Sequence, residues 1–131
     1  RVIEIRAYDT VYGVWKYFTV WEEQMNLERE SYCLIGTLEA WNAMCQYFGR
    51  EKMIPVYIEV EDGTRLIRAV ERERTQEHPG YEELCRRFLA DAKDFSEENL
   101  KNAGITRRFE NKDMNACLEE IKLFIQKAIL I

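Results

Sequence analysis

Asp62–Phe95 reads DGTRLIRAVERERTQEHPGYEELCRRFLADAKDF and holds half of the chain's arginines: Arg65, Arg68, Arg72, Arg74, Arg86 and Arg87. Arg65, Arg68 and Arg72 recur at three- and four-residue spacing, which lines them along one flank of a helix. His78-Pro79-Gly80 then breaks the pattern and turns the chain into a second helix bearing Arg86 and Arg87. A helical hairpin with arginines on both arms suits phosphate, because guanidinium stays charged and forks onto phosphate oxygens. The plainer alternative is a solvated hairpin in which Glu71, Glu73, Glu77, Glu82 and Glu83 pair with those arginines.

The surrounding composition limits the choices. The chain has 131 residues, is 47% hydrophobic and 33% charged, and carries a net charge of −5. That is one domain's worth of chain with enough apolar material for a core. An acidic balance argues against a general nucleic-acid binder. There is no apolar run long enough to span a membrane and no signal-peptide pattern. Cys33, Cys45, Cys85 and Cys117 form no CxxC pair, and a single His is present. Cys45, Cys85 and Cys117 fall on apolar helix faces, so free buried thiols in a reducing cytoplasm are expected, and no metal site. The chain opens on Arg1, directly into a strand pattern, and is expected to be part of a longer chain.

Working outward, Arg1–Ala7 alternates Val2/Glu4/Arg6 against Ile3/Ile5 as a half-buried strand. TVYGVWKYFT, from Thr10, predicts a strand, a turn at Gly13 and a return strand. Glu22–Ser31 is a polar helix or loop. Tyr32–Ile35 predicts a short buried parallel strand ending at Gly36. Thr37 caps a helix with Leu38, Trp41, Cys45 and Phe48 on one face, stopped by Gly49. Ile54–Val60 predicts a second buried strand, and Asp62 a cap for the arginine helix. Ser96 opens a short helix that Gly104 closes, 105–110 is a weaker strand, and Asp113 caps a last helix. That helix is expected to turn Met114, Cys117, Leu118, Ile121, Phe124, Ile125 and Ala128 inward. Strands alternating with helices indicate an α/β fold with a parallel sheet.

No GxxxxGK[ST] or GxGxxG occurs, and no Ser/His/Asp set is recommended by spacing. His78 precedes Pro79 in a turn and fits turn chemistry better than base catalysis. Trp15, Tyr17 and Phe18 suit either packing or stacking on a base. Glu4 beside them has two carboxylate oxygens, enough to accept two donors side by side.

Ile3-Glu4, then Tyr17-Phe18-Thr19 after a glycine-containing turn, then Tyr32–Ala40, then the arginine hairpin, then Phe109–Asp113 follow one another in the order of a known family. The chain resembles the C-terminal two-thirds of a guanylate kinase. The resemblance implies a P-loop nucleoside-monophosphate-kinase-like parallel sheet, incomplete because the P-loop strand precedes the region matching Arg1. It implies residues 1–31 as the remainder of a monophosphate-binding subdomain and 32–131 as an α/β core with a lid at about 72–86. By the same resemblance Glu4 holds the guanine edge, Tyr17 touches the monophosphate and Thr19 reads the guanine carbonyl. Thr37 and Glu39 stand at the family's two acidic positions, with Thr37 departing from that chemistry, as Phe18 and Ala40 depart from glycine. Arg72, Arg74 and Arg87 contact the transferring phosphates, and Asn111 lies near the adenine of ATP.

The implied reaction in the complete protein is ATP + GMP to ADP + GDP, with Mg²⁺. This chain alone is expected to be inactive and to bind neither ATP nor Mg²⁺. Its expected partners are a GMP-like monophosphate and either a missing N-terminal P-loop segment or a neighbouring chain filling the sheet; no nucleic acid and no membrane. A guanylate-kinase-like protein-interaction module is the alternative. Retained lid arginines favour the kinase.

Overall fold

The hairpin expected at the start of the chain forms, but its polar side is the covered one. A computed structural model describes residues 1–129. The described residues form a mixed α/β structure with two small two-stranded sheets, five α-helices and no closed barrel. The chain divides into two compact units, Arg1–Met53 and Ile54–Ile131.

In the first unit, β1 (Val2–Thr10) pairs antiparallel with β2 (Gly13–Val20). The turn residues are Val11 and Tyr12, and Gly13 opens the return strand at φ +112°, a conformation that disfavours any side chain. Thr10 Oγ1 donates to the Gly13 carbonyl and accepts from the Tyr12 N–H, closing the turn. The register shifts between Val2 and Glu4, so an extra residue is accommodated at Ile3. Beyond that bulge Glu4, Arg6 and Tyr8 share one face with their partners Thr19, Tyr17 and Trp15. Ile5 (64% exposed) and Phe18 (65% exposed) lie on the other. The strand is half-buried, as its alternation suggests, and the side it covers is that of Glu4 rather than that of Ile5.

Helix α1 (Leu38–Phe48) starts at Thr37, whose Oγ1 accepts the Ala40 N–H at 3.3 Å, and ends at Gly49 (φ +94°). It buries Leu38, Ala40, Trp41 and Met44. Cys45 and Phe48, expected on that face, are only half-buried. Trp21 meets Phe48 edge-on at 5.3 Å, and the Arg1 guanidinium lies 5.6 Å from the Tyr47 ring centre. Between hairpin and helix the chain runs in turns, with the Tyr32 hydroxyl bonded to the Asn26 N–H and Glu30. Tyr32–Ile35 is not a strand, and Leu34 and Ile35 are exposed. A strand requires a neighbouring ladder, and in this unit β1 and β2 are bonded to each other.

In the second unit, β3 (Tyr57–Glu59) pairs in parallel with β4 (Arg108–Glu110). The ladder is shorter than the run Ile54–Val60, and Ile54 and Ile58 are exposed rather than buried. Arg108 fastens it, with Nη1 on Glu59 and Glu97 and Nη2 on Glu97. These carboxylates raise the Arg108 guanidinium above its ordinary pKa, the Glu97 bond contributing most. Helices α2 (Asp62–Arg74) and α3 (Tyr81–Asp94) form the arginine hairpin, reversed through 78–80 as expected. Glu61, not Asp62, caps α2: its carboxylate accepts the Gly63 and Thr64 N–H groups, both at 2.8 Å. Arg65 stacks on Phe88 across the two arms, 3.9 Å from the ring centre.

Ser96 caps α4 (Glu97–Asn102), and Gly104 follows at φ +74°. Asp113 Oδ2 accepts the Ala116 N–H at the start of α5 (Met114–Ile129). The core here is Leu84, Leu100, Ala103, Ile105, Phe109 and Cys117. Phe124 meets Phe109 edge-on at 5.2 Å. Met114 and Leu118 are exposed, so the inward face of α5 is narrower than its periodicity suggests. All four cysteines are free, but only Cys117 is buried; Cys33 and Cys85 are exposed. Among the described residues no helix is long and apolar enough to cross a membrane.

Candidate functional site

Each unit carries a polar feature that its core does not require. In the first, the Glu4 side of the hairpin and the start of α1 bring together Glu4, Thr19, Tyr17 and Thr37, four of the five residues that the family resemblance points to for monophosphate binding. Glu4 Oε1 accepts the Thr19 hydroxyl at 2.5 Å. Glu4 Oε2 accepts Arg6 Nε–H at 2.9 Å, and Arg6 Nη1 donates to Thr37 Oγ1 at 3.0 Å. The Arg6 guanidinium carbon lies 5.9 Å from the Tyr17 ring centre, and Tyr8 braces that ring edge-on at 5.8 Å. Glu39, the fifth, is exposed on the first turn of α1 and stands outside this network. Tyr12 and Trp15 stack near the turn, with ring centres 6.0 Å apart.

Arg6 is the member that sequence reasoning missed. The signal was its spacing: two residues from Glu4 on a strand is the same face. Thr37 holds the network and the helix at once. Thr37→Ala is expected to lower stability by about 1–2 kcal/mol, from the lost cap and the Arg6 bond. Thr37→Ser should retain most of it. Urea titrations of the three proteins, followed by tryptophan fluorescence, check this.

In the second unit, a pocket of about 360 Å³ is lined by Val60, Glu61, Thr64, Glu110, Asn111 and Lys112. That volume suits a small molecule. The Asn111 backbone is fixed on both sides, its N–H on the Glu59 carbonyl at 2.8 Å and its carbonyl on Arg68 Nη1 at 2.9 Å. Arg68 Nη2 also holds the Lys112 carbonyl at 3.0 Å. The Asn111 side-chain Oδ1 is buried without a hydrogen-bond partner among the described residues. A buried acceptor left open is costly unless something donates to it. The N-terminus of α2 borders the same pocket, but the Glu61 carboxylate already occupies its amides. Those bonds, the Thr64 N–H foremost, hold the Glu61 carboxyl below its usual pKa. The pocket therefore suits a neutral group bearing N–H donors better than a phosphate.

The arginines of the hairpin separate into two sets. Arg65 pairs with Asp62 and stacks on Phe88, Arg68 holds the 111–112 backbone, and Arg86 forks onto buried Glu83 at 2.6–3.0 Å. The side chains of Arg72, Arg74 and Arg87 are exposed and make no hydrogen bond or ion pair among the described residues. The solvated-hairpin alternative required broad pairing with the nearby glutamates. Instead Glu73 takes the Gly80 N–H at 2.8 Å, and Glu83 alone among the five answers an arginine of this group.

Among the described residues no three His, Cys, Asp or Glu side chains converge on a cation position. Comparison of the chain with protein-family models, with curated proteins and with solved structures gives no match.

Proposed function

We propose that the chain is the monophosphate-binding, lid and adenine-side portion of a cytoplasmic nucleoside-monophosphate kinase of the guanylate kinase type, catalytic only when a phosphate-cradling loop is supplied by another segment or chain. The observation that carries this is the sorting of the arginines. The three that the family resemblance assigns to phosphate are exposed side chains that make no hydrogen bond or salt bridge among the described residues, on a chain of net charge −5. A protein-interaction module has no need to hold that particular set in reserve.

Two further observations support the reading. Glu4, Tyr17, Thr19 and Thr37, which the resemblance assigns to the monophosphate substrate, converge from distant positions. The open Asn111 Oδ1 suits the exocyclic amine of an adenine. Phosphoryl transfer asks little covalent chemistry of the protein; it needs phosphates held in line and their charge neutralised. In this chain Arg72, Arg74 and Arg87 would neutralise charge, and Asn111 would orient the adenine.

The test is a titration of the isotope-labelled chain with GMP and, separately, ATP. GMP should shift resonances of Glu4, Tyr17 and Thr19, and ATP those of Thr64, Asn111 and Lys112. A coupled ADP-release assay with both nucleotides should show no turnover. Silence of both residue groups at millimolar nucleotide overturns the nucleotide reading. Turnover on the order of 1–100 per second overturns the need for a separate cradle.

A further inference from the structure

We propose that the uncovered face of the β1–β2 hairpin packs against the same face of a second copy of this chain, forming a weak two-fold dimer.

β2 alternates without interruption, so Val14, Lys16, Phe18 and Val20 lie on the side opposite Tyr17 and Thr19. Their register partners Asp9, Ala7, Ile5 and Val2 complete that side. All of it is exposed, including the large apolar residues Val2 (53%), Ile5 (64%), Val14 (60%), Phe18 (65%) and Val20 (38%). The other side of the hairpin is the one that meets α1, through Arg6 and Thr37. The five apolar residues together expose on the order of 500 Å², toward the top of the range for the largest apolar patch on a soluble monomer.

Charge and register both favour a second copy over a different partner. The face carries one cation and one anion, Lys16 and Asp9, and neither forms a salt bridge among the described residues. A face of a single sign would suit a partner of the opposite sign; this one complements itself. A two-fold axis running along the strands lays β1 of each copy over β2 of the other, as in stacked sheets. Val2 then meets Val20, Ile5 meets Phe18 and Ala7 meets Lys16 of the second copy, following the register within the hairpin. Asp9 is the next residue on that side after Ala7, about 7 Å further along the strand and within reach of the same lysine. Large apolar side chains thus face each other in two rows, and two ion pairs close the contact. Burying both faces removes about 1,000 Å² from water, at the lower limit for a specific interface, so the association is weak.

Sedimentation equilibrium of the 131-residue chain tests this. Over about 5–500 μM it should show a monomer–dimer equilibrium with a dissociation constant on the order of 10–100 μM. Phe18→Glu puts a charge in the middle of the patch and should weaken dimerisation more than about tenfold, with the circular dichroism spectrum of the monomer unchanged. Asp9→Lys alone or Lys16→Asp alone sets like charges across the contact and should weaken it about three- to tenfold. The double variant restores opposite charges and should recover most of the affinity. Should Phe18→Glu lose its fold, nuclear Overhauser effects between Ile5 of one copy and Phe18 of the other, in a mixture of differently labelled unmodified chains, are expected in its place. A chain that stays monomeric over the whole range overturns the proposal and leaves the face to a different partner. A dimer indifferent to a folded Phe18→Glu overturns it, as does a double charge variant that binds no more tightly than either single one. Absence of the cross-copy Overhauser effects in a dimeric sample overturns it too.

Discussion

Phe109→Ala is expected to destabilise the Ile54–Ile131 unit by about 3–5 kcal/mol, enough to leave much of it unfolded at room temperature. Phe109 is fully buried, and its ring is covered by Phe124 edge-on and by the Arg107 guanidinium at 4.6 Å. It also sits in the middle of β4, opposite Ile58, in a ladder of only three registered pairs. Truncation removes the largest buried side chain of a small core, and two three-residue strands have little ladder to fall back on. Phe109→Leu keeps most of the volume and should cost less than about 2 kcal/mol. Urea unfolding followed by far-ultraviolet circular dichroism separates the two variants. Equal midpoints for Ala and Leu would show that the ring is not what holds the unit together.

Arg87→Ala and Arg86→Ala change neighbouring residues and should have opposite consequences. On the proposed kinase reading, Arg87→Ala in the enzyme assembled with its phosphate cradle is expected to lower kcat about a hundredfold. The KM for GMP should stay within about twofold, because on that reading Arg87 meets the phosphates where charge develops. Arg87 has no ion pair to lose, so stability should be nearly unchanged. Arg86→Ala leaves Glu83 buried without its fork and should cost on the order of 2–3 kcal/mol of stability. Paired measurements of kcat and denaturation midpoint test both. An Arg87→Ala that alters only the KM for GMP would remove Arg87 from the transferring phosphate.

What could be read in the residues was what local chemistry decides. Thr37, Ser96 and Asp113 were legible as caps because a hydroxyl or carboxylate before an amphipathic run satisfies helix amides in any context. The reversal at 78–80 was legible because proline and glycine do not continue a helix. Tyr32–Ile35 misled because an apolar run shows appetite for a sheet, not the presence of a partner strand. Which side of the hairpin is covered was not legible, because alternation separates Glu4 and Arg6 from Ile5 without saying which side meets the rest of the unit. That Glu4, Tyr17 and Thr19 belong together was suggested only by the family resemblance; the structure shows them on one face of the hairpin. Arg6 was not legible, because a salt bridge between strand neighbours reads as ordinary surface pairing until burial is known. Likewise nothing in the spacing of six arginines tells which are structural; that depended on where Asn111, Glu83 and Phe88 came to rest.

The Arg6–Thr37 hydrogen bond has a kinetic side. Its partners are separated by 31 positions, with the β1–β2 turn, β2 and the irregular segment 21–36 between them. Closing a loop of that length costs roughly 3 kcal/mol of chain entropy. The β1–β2 hairpin closes across a two-residue turn and pays far less. The hairpin therefore zips first, and the junction between Arg6 and α1 is made late. In the native state the order reverses, and this junction opens through sub-global fluctuations well below the free energy of complete unfolding. Amide protons of Leu38, Ala40 and Trp41 should exchange with solvent before those in the middle of β1. Of the bonds around Glu4, those to Thr19 and Arg6 should form with the hairpin, while the Arg6–Thr37 bond should be the last to assemble and the first to come apart.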